Sequence, residues 1–441
     1  MNTKAGWAQI EITPPLGLPM GGRGPRFTPG AVVLDPLMAQ ALALQDGNGS
    51  RTLWLSLDLI GLGSGLAESL LYDLAAMTGV PYEAIVVNTA HPHSGPMINF
   101  VKYPTIIPKP EALTAYEADV RRKLVRVAYE AVQKLAPATV TLHHGGSDVG
   151  VNRRNRNAAG EMTMAPNAAG VYNRDLWVFD VVADDKRCVV FNYGCHPVIV
   201  YGFAWDGISA DYPGACRRKL RAQLGDDVQA QFIQGLAGNV RPRVLADPEA
   251  GRFRKSTPDD LERAGTQLSA DVLAALALDG EPLNLDLAAA GGWFLARRDP
   301  AQIPPLEHWQ ALAEREDELE RNVGRYWAER LEAGLPPVQA VPWQLGLIRL
   351  SREHTIAWLS GEAVAEWQGH LRRWLDDERL IVWGYCQQVP AYLPTDELLP
   401  EGGYEVVQSN LYSNTGPGPF APGLNEAVRA RMAALRRQIA P

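Results

Sequence analysis

Short runs that are apolar at every position, such as "IVV" at Ile85–Val87 and "CVVF" at Cys188–Phe191, set the tightest limit on the fold. A strand with one wet face alternates apolar and polar residues, so a run without a polar member reads as a strand covered on both sides. Similar strand-like segments are Thr52–Leu57, Ala84–Val87, Ala138–Leu142, Leu176–Val182, Cys188–Asn192, Gln231–Ile233, Leu345–Leu350 and Thr355–Leu359. Between them lie segments of helical periodicity: Gly65–Met77, Ala115–Leu135, Pro213–Leu224, Pro258–Leu278 and Glu362–Trp374. This alternation predicts an α/β protein with mixed, largely parallel β-sheets flanked by helices. No linker divides the chain, so the expectation is one domain over residues 1–441 with a helical insertion at about 300–335. That insertion is highly charged and suits a solvated helical pair, a lid or a contact within a homo-oligomer. Pro14–Gly30 and Gly416–Gly423 read as irregular loops.

Composition narrows the function classes. The net charge of -8 argues against a nucleic-acid partner and against an anionic membrane surface. The opening "MNTKAGWAQIEITPP" has no apolar export segment, and no window approaches the roughly 18 apolar residues of a membrane span. Cys188, Cys195, Cys216 and Cys386 show no CxxC spacing, which suits small buried residues in a reducing, cytoplasmic setting.

Two of the strands end in histidine. "IVVNTAHPHSGP" carries His91 and His93, and "CVVFNYGCHP" carries His196. Residues two apart on extended chain face the same way, and open α/β sheets bind ligands at the carboxyl ends of strands. Two parallel strands ending so can bring their histidines together at a metal or an acid/base site. His143, His144, His308, His354 and His370 lack this context and read as structural or surface residues. In "TIAWLSGEAVAEW" a strand runs into Gly361, and Glu362 opens the next helix. A glutamate there ordinarily complements the helix dipole; alternatively it is a ligand projected from the turn.

In this order the motifs resemble the catalytic domain of the neutral/alkaline, non-lysosomal ceramidases, a family of zinc amidases. The matching segments are "GWAQIEITPP", "DPLMAQALAL", "HPHSGP", "VNRR", "NYGCHPVIVYGFAWDGISADYPG", "LSGEAVAEW" and "YLPTDELLPEGGYE". The resemblance implies one Zn2+ held by His91, His196, Glu362 and Tyr392. It implies His93 as a proton-moving histidine, Arg153 and Tyr404 as oxyanion or substrate contacts, and Asp211 as the group that orients a ligand histidine. A neutral phenol binds zinc poorly, so ligation by Tyr392 needs a lowered pKa. The implied chemistry is hydrolysis of an amide, ester or lactone by a metal-activated water.

The chain also departs from the family. The segment "QGLAGNVRPR" has Gly235, Asn239 and Arg241 where the family has Ser, Asp and Ser, so no role of those serines carries over. Arg241 would suit an anionic or polyhydroxylated substrate, or be an ordinary loop arginine. The chain ends in a helical segment where ceramidases add a β domain. The resulting expectation is a retained metal site acting on a small soluble molecule. Two further readings stand beside it: a lyase, isomerase or glycosidase using the same metal on a sugar-like substrate, and a non-catalytic binding protein. The aromatic-rich segments near Trp205 and Trp383 suit stacking walls of a pocket, or core packing.

Overall fold

The computed structural model describes residues 3–22, 26–98, 109–411 and 416–440. Strands β1 (Lys4–Glu11), β2 (Met38–Gln45), β3 (Arg51–Leu57) and β4 (Ile85–Thr89) form one half of the principal sheet. Then come β5 (Ala136–Gly146), β6 (Gly150–Arg156), β7 (Asp175–Ala183), β8 (Lys186–Tyr193) and β9 (Gln229–Gln234). All of these except β6 build the other half, and the halves join where Lys4 and Ala5 pair with Pro137 and Ala136. β6 instead pairs with Met162–Asn167 and Val240–Pro242.

The wholly apolar runs are indeed covered twice. Along β2, Ala39, Ala41 and Ala43 pack toward helices α1 (Ser64–Thr78) and α2 (Glu111–Gln133), while Leu42 and Leu44 point into an inner core. Along β8, Val189, Phe191 and Tyr193 pack toward α3 (Asp211–Leu224) and α4 (Pro258–Leu276), while Cys188 and Val190 meet the same inner core. The period-two geometry of a strand thus gives a helix–sheet–sheet–helix stack in which the sheet folds over on itself.

A polar seam closes the fold. Gln40 Nε2 donates to the Ala230 carbonyl at 2.8 Å, and the Ser56 hydroxyl donates to that of Phe232. Asn88 of β4 and Gln234 of β9 exchange bonds of 2.8 and 3.1 Å. Buried backbone along the β9 edge would otherwise lack partners, and these side chains supply them. The seam sets the carboxyl end of β4 beside the ends of β8 and β9.

A further sheet comprises β10 (Ala288–Arg297), β11 (Ala340–Arg349), β12 (Thr355–Leu359) and, beyond the two-residue β13 (Glu362–Ala363), β14 (Ile381–Trp383). β13 pairs with β15 (Tyr392–Leu393). The charged insertion forms a helical pair, Leu306–Ala313 and Glu318–Glu332, around its own small core of Trp309, Val323 and Trp327. Of the expected loop Pro14–Gly30, residues 23–25 lie outside the described residues, and Pro19–Met20 pairs with Arg26–Pro29.

The sheets are mixed as expected, but the parallel share is smaller. In the principal sheet, β3–β4 and β8–β9 are parallel and the remaining described pairings are antiparallel. The reason is connection length. β2–β3 and β7–β8 are joined by short turns, which only antiparallel neighbours permit. The four cysteines are buried and unbridged. No described helix is long and apolar enough to cross a membrane.

Candidate metal centre

Beyond β4 the chain does not stay extended. His91 adopts φ 68°, a left-handed conformation rare outside glycine, so its relation to His93 is not that of neighbours along a strand. The two rings nevertheless lie 5.0 Å apart, because the turn bends both toward one point. The His93 amide donates to the Pro197 carbonyl at 3.1 Å, which ties the two histidine loops together. His91 and His196 are 5.2 Å apart, ring centre to ring centre. β4 and β8 are not neighbours in the sheet; the folding-over and its seam bring their ends together.

Each of these two rings is fixed through Nδ1. His91 Nδ1 bonds to the Ile60 carbonyl, and His196 Nδ1 bonds to that of Ala237 at 2.6 Å. A carbonyl only accepts, so Nδ1 carries the hydrogen in both, and in the neutral imidazole Nε2 is the nitrogen left with a lone pair. Both lone pairs aim at one oxygen: Glu362 Oε2 lies 3.3 Å from His91 Nε2 and 3.2 Å from His196 Nε2.

Glu362 sits on β13, and the helix begins only at Trp367, so the reading of Glu362 as a first-turn helix residue is corrected. Gly361 makes this placement possible. It has φ 72°, and a Cβ there would come 1.9 Å from the Trp343 ring. β13 pairs Glu362 with Tyr392, whose hydroxyl is 3.4 Å from His196 Nε2 and accepts from Arg153 Nη2 at 3.1 Å. The His93 ring is 5.6 Å from that of His196, and one nitrogen from each of the three histidines falls within a 4.8 Å span.

Such a donor set suits a cation. Two imidazole lone pairs and a carboxylate oxygen, all buried, have no hydrogen to share between them unless a proton or a metal ion intervenes. Burial, aided by the Arg153 charge, pushes the His196 pKa down to about 4, so its imidazole is neutral at physiological pH. Burial pushes the Tyr392 hydroxyl well above the usual phenol range, and the Glu362 charge adds to this while Arg153 opposes it. The lowered pKa that ligation requires is therefore not supplied by the protein itself. Without a cation Tyr392 is an O–H donor in the cluster.

Arg153 is held by Glu405, with Nε to Oε1 at 2.8 Å, and its guanidinium carbon lies 5.5 Å from the ring centres of both Tyr392 and Tyr404. Tyr404 is 39% exposed, and its ring lies 5.5 Å from that of Tyr392. The expected role of Asp211 needs correction. Its carboxylate accepts from the amides of Ile199 and Val200 at 2.9 and 2.8 Å and from that of Tyr212 at 2.7 Å, and it touches no histidine. Carbonyl groups orient His91 and His196 instead, and Asp211 pins the loop that follows His196. Burial raises its pKa to about 6.

Two residues escaped the sequence reading. Tyr385 has φ 54°, is fully buried, and lies 4.5 Å from the His91 ring; its hydroxyl lacks a hydrogen-bond partner among the described residues. No local pattern marks it. Glu405 could have been inferred from the adjacent Arg153 and Arg154, whose burial demands a shared anion.

Asn239 stands beside this cluster and donates from Nδ2 to both oxygens of Glu366, at 3.0 and 2.8 Å. Burial raises the Glu366 pKa from 4.5 to about 7. Between those values the folded chain keeps a proton that the unfolded chain releases, so this group's contribution falls as pH rises. Asn239→Asp removes the donor and adds a like charge, raising the Glu366 pKa further. We expect a loss of about 2 kcal/mol at pH 8 that shrinks by pH 5, read from urea unfolding at both. Equal losses at both would mean that Glu366 does not titrate in this range.

No protein-family model matches the sequence, and no curated protein does. Solved structures do. Neutral ceramidase from Pseudomonas aeruginosa superposes with a TM-score of 0.75 at 17% identity, covering 99% of this chain and 74% of that one. A ceramidase complexed with C2 gives 0.71 at 17% identity, covering 99% and 75%. The resemblance read from the motifs therefore holds across the architecture: this chain has the neutral-ceramidase fold.

Proposed function

We propose that the chain is a zinc-dependent hydrolase that cleaves an amide bond in a small, soluble substrate. The observation that carries this reading is the convergence of His91 Nε2 and His196 Nε2 on one oxygen of Glu362. With Tyr392 close by, those side chains would hold the ion. Zinc bound there would supply a Lewis acid able to polarise a carbonyl.

The chain's own groups do the rest. His93, adjoining both ligand histidines, is placed to move a proton between the nucleophile and the leaving nitrogen. Tyr392 and Arg153 offer O–H and N–H donors to negative charge developing on the substrate oxygen. Burial keeps water from screening these interactions. A cytoplasmic location fits the four buried, unbridged cysteines.

The test is elemental analysis of the purified protein joined to an amidase assay on short N-acyl amides. We expect about one zinc per chain, loss of turnover on chelation and its return with zinc. Undiminished turnover by metal-free protein would overturn the proposal.

A further inference from the structure

A cavity of about 470 Å3 adjoins the candidate centre, and its lining includes Tyr201, Phe203, Trp205, Arg241, Phe253 and Lys255. Its size suits a small molecule rather than a lipid chain or a polymer. Tyr201 forms the wall shared with the centre. One side of the residue meets His93, with ring centres 5.7 Å apart, and its hydroxyl accepts from Arg241 Nη2 at 2.9 Å. The cavity and His93 are thus separated by one tyrosine.

The cavity's charge runs against that of the molecule. The chain as a whole carries -8, yet this recess collects Arg241, Arg254 and Lys255. Arg254 is neutralised by Asp260, with bonds of 2.7 and 2.6 Å. Lys255 makes no ion pair among the described residues. Arg241 is held in place rather than left to wander: its guanidinium lies 4.8 Å from the Phe253 ring centre, and Nη1 reaches the Met164 sulfur at 3.4 Å. A fixed guanidinium on an aromatic face, with a lysine lining the same cavity, is a recognition element for a planar anion. Trp205, 38% exposed, and Phe203 offer apolar surface for the body that carries the anion.

We infer that this cavity receives a carboxylate on a compact apolar body, so that the substrate is an acid-bearing amide whose scissile bond reaches past Tyr201 to His93. The inference rests on the hydrolase reading for the word "substrate", but the binding claim does not. In the bound state the carboxylate pairs with Arg241 and Lys255, and the apolar body covers Trp205 and Phe203.

Isothermal titration calorimetry tests the binding directly, with phenylacetate as the probe and phenylacetamide as its uncharged counterpart. We expect phenylacetate to bind at least about tenfold more tightly than phenylacetamide, and to weaken as salt rises. Arg241→Met should weaken it about tenfold and Lys255→Met about threefold, with phenylacetamide unchanged. Glu362→Gln should leave phenylacetate affinity as in the wild type, because the carboxylate sits in the cavity and not at the centre. Equal affinity for the two probes, or wild-type affinity in both Arg241→Met and Lys255→Met, overturns the inference. So does loss of phenylacetate binding in Glu362→Gln with affinity intact in the cavity variants. Lys255 is exposed, so its variant remains informative if Arg241→Met folds poorly. Should the protein cleave no amide while phenylacetate binding follows this pattern, the hydrolase reading fails and the anion cavity stands.

Discussion

Glu362→Gln is expected to abolish zinc binding and lower amide hydrolysis by about a thousandfold or more, while leaving the metal-free protein as stable as the wild type. The two halves of this result have different causes. Glu362 is the single anion on which His91 Nε2 and His196 Nε2 converge, at 3.3 and 3.2 Å. Glutamine keeps the volume and one carbonyl oxygen but removes the charge that neutralises a divalent ion, and a thousandfold loss corresponds to about 4 kcal/mol. In the metal-free protein the same carboxylate is 4% exposed, so its desolvation offsets much of what it gains from its neighbours. Calorimetric melting with and without zinc reads both halves. Zinc at a hundred times Kd should stabilise the wild type by about 2.7 kcal/mol, and so raise its midpoint, and leave the variant where it was. A variant that still shifts with zinc would move the ion away from Glu362 and leave the cluster as a hydrogen-bonded triad. A variant that melts far below the metal-free wild type would make Glu362 a structural residue.

What the sequence made legible followed from local rules. Runs apolar at every position announced strands buried on both faces, because side chains alternate and neither face could be polar. The histidine pair in "HPHSGP" and the lone histidine of "CHP" stood out because each closed such a run. Their meeting point was less legible. It depends on Asn88 and Gln234 clasping two sheet edges, a contact across 146 residues that no periodicity reports. His91 and His93 do not face one way as alternate residues of extended chain: His91 turns left-handed, and the turn makes the rings converge. Glu362 read locally as a helix-dipole residue because the two-residue pairing with Tyr392 has no signature of its own. Asp211 was misassigned because the sequence lists groups able to bond a histidine, whereas backbone carbonyls of Ile60 and Ala237, invisible as a pattern, do so. Tyr385 is a tyrosine in a loop until the fold sets it against His91.

Removing the charge of Glu405 should cost about 3–5 kcal/mol in Glu405→Gln, the largest stability loss expected of any isosteric change near the centre. Its carboxylate is 2% exposed and shared between Arg153 Nε at 2.8 Å and Arg154 Nη1 at 2.7 Å. Burial alone would raise its pKa, but the two guanidinium groups outweigh burial and the net shift is downward. A depressed carboxylate contributes stability above its unfolded value of about 4.5 and loses it as pH falls through the folded value. The gap between wild type and variant should therefore persist from pH 8 to pH 5 and close in stronger acid. The two arginines do not suffer equally. Arg154 retains Glu401 at 2.9 Å and the Gly402 carbonyl at 3.0 Å, whereas Arg153 is left with Tyr392 as its hydrogen-bond partner. The unpaired charge is thus chiefly that of Arg153, and adding Arg153→Met to Glu405→Gln should recover part of the stability while adding Arg154→Met should recover less. Urea unfolding of the three variants and the wild type measures this ordering. If Glu405→Gln costs less than about 1 kcal/mol, water reaches the guanidinium groups, and the dry setting from which Arg153 is to act on a substrate oxygen goes with it.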